Sequence, residues 1–124
     1  MAFTNAIANN NNDTVYTYYD AARNKYVLNE NELEYIPVKV SESSSGKYTG
    51  GTYTTKAITE KESHELEQLF KTALANKKAQ TNKNIKPNAA VEINYGNKQI
   101  DFLLKSTAAI NISLKNFLTQ LMKN

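Results

Sequence analysis

The sequence predicts a single two-layer α+β domain: a mostly antiparallel sheet, built from a β-meander and a β-hairpin, covered by two amphipathic helices in the order β-β-β-β-α-β-β-α. Three observations predict it. The first half of the chain holds short β-branched and aromatic runs separated by polar breaks, residues 91–102 form a self-consistent hairpin, and two later segments carry apolar residues at helical spacing. Two amphipathic helices each need a surface to cover, and an antiparallel sheet has one to give. The length, 124 residues, suits one domain with a core that needs no covalent staple.

Residues 1–13 end in Asn9-Asn10-Asn11-Asn12-Asp13, a polar tract with nothing to bury. They are expected to form a disordered arm ahead of an α+β domain over 14–124. The run Thr14-Val15-Tyr16-Thr17-Tyr18-Tyr19 has strand composition, residues 20–25 read as a turn, and Tyr26-Val27-Leu28 resumes the strand. After the break Asn29-Glu30-Asn31, Leu33 and Tyr35 alternate with Glu32 and Glu34 in the pattern of a half-buried strand. Pro37 cannot donate to a ladder and marks a strand end or an edge.

Residues 39–51 hold three of the four glycines and four serines, the composition of a loop. A fourth strand is expected from Thr52 to Ile58. Thr59-Glu60-Lys61-Glu62 then matches a capping box, in which the Thr59 hydroxyl and the Glu62 side chain satisfy each other's amides. Leu66, Leu69, Phe70, Ala73 and Leu74 follow as one stripe, which predicts a helix over about residues 60–77. Acidic residues lead this helix and lysines end it, as its macrodipole favours.

Gly96-Asn97 is a two-residue hairpin turn. It sets Ile93 against Ile100 and Val91 against Phe102 on one face, and leaves Glu92, Asn94, Gln99 and Asp101 on the other. Turn chemistry and hydrophobic pattern agree independently. Ile110, Leu114, Phe117, Leu118 and Leu121 form the last helical stripe, with Thr107, Asn111 or Ser113 as its cap.

Composition removes several function classes. The absence of cysteine excludes disulfides, thiol nucleophiles and thiolate metal sites. No apolar run of about eighteen residues exists to span a membrane, and residues 1–8 lack the features of a secretory signal. The compartment stays open. The balance of 15 basic and 12 acidic residues is uneven, −2 over residues 1–62 and +5 over residues 63–124. The one basic concentration, Lys77, Lys78, Lys83 and Lys86, has no interleaved aromatic and reads as a solvated helix end, not as a nucleic-acid site.

The lone histidine, His64, has no second His or Cys to share a metal, and no Gly-x-Ser-x-Gly elbow accompanies it. It reads as an exposed polar-face side chain. Glu32, Glu34, Glu92 and Asp101 lie at outward strand positions, where solvation is the default. Ser45-Gly46-Lys47 lacks the earlier glycine of a phosphate loop and precedes a strand, so no helix N-terminus awaits an anion. No cofactor is implied.

Tyrosine carries the strongest functional signal. Seven of the eight tyrosines fall within the first 53 residues, and there is no tryptophan. Tyrosine fits a half-buried strand face, and it also supplies contact area in binding surfaces at low entropic cost. The expectation is a non-enzymatic domain that recognises a protein partner in the manner of an accessory or inhibitor module. Its candidate contact residues are Tyr16, Tyr18, Tyr19, Lys47, Tyr48 and Tyr53. The alternative is a small-ligand or nucleotide-binding module in which Lys47, Tyr48 and Tyr53 supply charge and stacking, and a third is a hydrolase with a carboxylate-only site. An edge at the third strand or at the Thr52 strand would allow pairing with a second copy.

Overall fold

The structure, a computed structural model, describes residues 14–38, 52–83 and 88–123. The proposed arm, the Gly/Ser loop with Lys47 and Tyr48, and Lys86 lie outside the described residues. Seven antiparallel strands form one sheet in the order β4-β3-β2-β1-β6-β7-β5. They are β1 (Val15–Tyr19), β2 (Lys25–Asn29), β3 (Glu32–Ile36), β4 (Thr54–Ala57), β5 (Gln80–Thr81), β6 (Ala89–Asn94) and β7 (Gln99–Leu104), and the helices are α1 (Glu60–Ala75) and α2 (Ala109–Lys123). β1 is the hinge of the topology: it pairs with β2 of the meander on one side and with β6 of the hairpin on the other.

Each turn has its chemical reason. Between β1 and β2, the Asp20 carboxylate accepts from the amides of Ala22 and Asn24, both at 2.9 Å, while Arg23 takes a left-handed φ of 72°. The Asn24 side chain accepts in turn from the amide of Val38 at 3.0 Å, fastening the turn to the chain beyond β3. Gly96 stands at φ 95° in the β6–β7 turn, a conformation that glycine adopts without cost. The hairpin register is the expected one, with Ile93 opposite Ile100 and Val91 opposite Phe102.

The capping box closes α1 as expected: the Glu62 amide donates to Thr59 Oγ1 and the Thr59 amide to Glu62 Oε1, each at 3.0 Å. The helix ends two residues short of the expected boundary because Gln80 Nε2 donates to the carbonyls of Ala73 and Leu74, both at 2.9 Å. A 3-10 turn at Lys77–Ala79 then leads into β5 on the edge of β7. This two-residue strand is absent from the sequence reading because two residues carry no periodicity. The structure also corrects the edges: β3 lies between β2 and β4, so β4 alone is the meander's outer strand.

Both helices cover the same face of the sheet. Leu66, Phe70 and Ala73 of α1 and Ile110, Leu114, Leu118 and Leu121 of α2 meet Tyr16, Tyr18, Leu28, Leu33, Val91 and Ile93 in one core. No helix among the described residues is long and apolar enough to cross a membrane.

Candidate functional site: the uncovered face of the sheet

Strand alternation sends successive side chains to opposite faces, and the registers sort them into rows that run across the strands. On the helix-covered face, Leu33, Leu28, Tyr16, Ile93 and Ile100 form one row, and Tyr35, Tyr26, Tyr18, Val91 and Phe102 the next. Tyr16 and Tyr18 therefore belong to the core, at 4% and 1% exposure, and their expected place on a partner-facing surface is corrected. The Tyr16 ring stacks on Phe70 with centroids 5.1 Å apart, and its hydroxyl donates to Glu67 at 3.1 Å. The Tyr18 hydroxyl donates to Asn111 Oδ1 at 2.6 Å, and Asn111 Nδ2 donates to the Ser106 carbonyl at 3.3 Å. Burial pushes both phenols well above their ordinary range, with the nearby Glu67 adding to the effect at Tyr16 and Asp20 at Tyr18. Burial raises Tyr26 in the same way.

Asn111, a candidate helix cap by sequence, instead lies buried in α2 and bridges Tyr18 to Ser106. A signal was present: it stands three and seven residues before Leu114 and Leu118, on the flank of the buried stripe.

Among the described residues, no helix lies over the opposite face. One of its rows is apolar in character: Ile36, Lys25, Tyr19, Ala90 and Leu103. The next row, two residues along each strand, reads Thr55, Glu34, Val27, Thr17, Glu92 and Asp101. Tyr19 is half-buried here, with Lys25 Nζ 5.6 Å from its ring centroid, a cation–π distance. Tyr53, 54% exposed, donates its hydroxyl to Glu34 at the β4 edge of the acidic row. That hydrogen bond is the main reason its phenol is raised.

Of the tyrosines proposed from sequence, Tyr19 and Tyr53 thus come to one surface and Tyr16 and Tyr18 to the other. Between the two open-face rows lies a shallow depression of about 260 Å³, lined by Tyr19, Ala90, Glu92, Asp101 and Leu103.

Two further concavities lie at the ends of the sheet, of about 330 Å³ beside Tyr16, Glu30, Glu60 and Glu67, and about 310 Å³ beside Tyr18, Ser106, Asn111 and Lys115. The first gathers carboxylates that the sequence reading had not grouped, but Glu67 is already engaged by Tyr16 and stands 3.8 Å from Lys71 and 4.0 Å from His64. His64 is exposed on α1, as its place off the apolar stripe predicts. Among the described residues, no three His, Asp or Glu side chains converge to hold a metal ion. The chain matches no protein-family model and no curated protein sequence.

Proposed function

We propose that this protein is a non-enzymatic interaction domain that recognises a protein partner through the uncovered face of its sheet. The observation that carries the reading is the apolar row on that face, where Tyr19, Ala90, Leu103 and Ile36 stand half-buried with no helix over them among the described residues. A sheet needs only one covered face for stability. An apolar row of this kind beside charged residues has the composition of a contact surface, and Tyr53 extends it at the β4 edge.

A photo-crosslinking residue placed at Leu103 and, as a control, at exposed Gln120 on α2 tests the reading. The expected result is a protein adduct formed from position 103 and not from position 120. Binding of the identified partner should then be lost in Leu103→Asp with the circular dichroism spectrum preserved. Equal crosslinking from both positions, or undiminished binding by that variant, would refute it.

A further inference from the structure

The charge on the uncovered face narrows what it can receive. Its strand positions carry four carboxylates, Glu32, Glu34, Glu92 and Asp101, against the single ammonium of Lys25. The chain as a whole has a net charge of +3, so an acidic face has been set on a basic protein. Three of the carboxylates share one row, and Glu92 stands directly opposite Asp101, a like-charge pairing that weakens a sheet. The described residues give Glu34, Glu92 and Asp101 no ion pair within 4.0 Å. The nearest relief is local: the Gln99 amide donates to Asp101 at 2.9 Å, and the Tyr53 hydroxyl donates to Glu34. Neither neutralises a charge.

From this juxtaposition of an apolar row and an uncompensated acidic row we infer that the face docks a cationic amphipathic segment of a partner protein. Its apolar side chains would lie along Ile36, Tyr19, Ala90 and Leu103, and its lysines or arginines over Glu34, Glu92 and Asp101. The inference rests on the proposed function and adds the chemistry of the partner. The rows lie roughly 7 Å apart, two residues along each strand. The apolar row spans four strand spacings, roughly 19 Å, and the acidic row five, roughly 24 Å, the lengths of about thirteen and sixteen helical residues. The 260 Å³ depression opens where the rows adjoin, with Tyr19 and Leu103 on one side and Glu92 and Asp101 on the other. An apolar anchor can enter it while a cation remains within reach of both carboxylates. The same charge disfavours the other occupants: nucleic acid is repelled by the acidic row, and a second copy docked face to face brings two acidic faces together.

The test uses the full chain and four synthetic peptides of about sixteen residues, read by fluorescence anisotropy and by amide chemical shifts. Three share one amphipathic pattern of leucines, with lysine, glutamine or glutamate at the polar positions. The fourth has the lysine peptide's composition in scrambled order. The expected result is that the patterned lysine peptide binds at least about tenfold more tightly than the glutamine and scrambled peptides. Its shifts should fall on β1, β6 and β7, its affinity should drop with salt, and the preference should collapse in Glu92→Gln/Asp101→Asn. Equal binding of the glutamine peptide on the same strands would overturn the inference while leaving the protein-binding face intact. Equal binding of the scrambled peptide, shifts confined to the helices, or no binding by any peptide would also overturn it. So would sedimentation showing a dimer that Tyr19→Thr dissociates, which would make a second copy the occupant. Failure of the proposed function itself is read separately, by the crosslinking comparison between positions 103 and 120.

Discussion

Tyr18 and Tyr19 are neighbours in the chain and opposites in the molecule. Tyr18 is sealed under α2 with its hydroxyl committed to Asn111, while Tyr19 stands half-buried on the far face with Lys25 Nζ 5.6 Å from its ring centroid. The two faces of the sheet repeat this difference. On the covered face, the aromatic rings touch one another and Phe70, and the hydroxyls of Tyr16 and Tyr18 find named partners on the helices. On the open face, like charges stand opposite each other and apolar side chains end at the surface. The packing that holds the fold lies on one face, and the proposed recognition uses the other.

Substitutions can break that division, and they rank by expected size. Phe70→Ala removes a fully buried ring stacked on Tyr16, and should lower stability by about 3–5 kcal/mol in urea denaturation. Tyr18→Phe leaves the buried Asn111 oxygen without its donor and should cost about 1–3 kcal/mol, whereas Tyr19→Phe should leave the denaturation midpoint unchanged. A comparable loss at Tyr19 would mean that the open face also holds the fold.

Alkaline pH tests the covered face without mutation. The phenols of Tyr16, Tyr18 and Tyr26 are raised above the ordinary value of 10.0. As pH climbs past 10, the unfolded chain sheds phenolic protons that the folded chain retains. Proton release then favours unfolding, so stability is level below that pH and falls above it. Absorbance at 295 nm should show these tyrosines ionising only as the circular dichroism signal is lost. The smaller effects follow. Thr59→Ala opens the capping box of α1 and should cost about 1 kcal/mol. Glu92→Gln removes one partner of the opposed carboxylates and should stabilise the sheet by a few tenths of a kcal/mol.

Much of the fold was legible in the sequence because local signals there are redundant. In the hairpin, Gly96-Asn97 sets the register that the apolar pattern requires, and in α1 the Thr59 cap and the Leu66–Phe70 stripe point to the same helix. β5 was not legible, since the pairing of Gln80 and Thr81 with β7 is a consequence of where α1 ends. The candidate site was legible only in part. Alternation separates Tyr18 from Tyr19, but which of the two meets the helices is decided by the pairing of β1 with β6, more than seventy residues away in the chain. The acidic row has the same origin: Glu34 comes into one row with the paired Glu92 and Asp101, across Val27 and Thr17, only when the meander and the hairpin join along β1.

The most direct test is a single double variant, Tyr19→Thr/Leu103→Thr, measured for stability and for binding to the partner crosslinked through position 103. Threonine keeps strand propensity while removing the apolar contact surface. The division of the two faces predicts a denaturation midpoint displaced by no more than about 1 kcal/mol, with partner binding abolished. Undiminished binding by a folded double variant would contradict it.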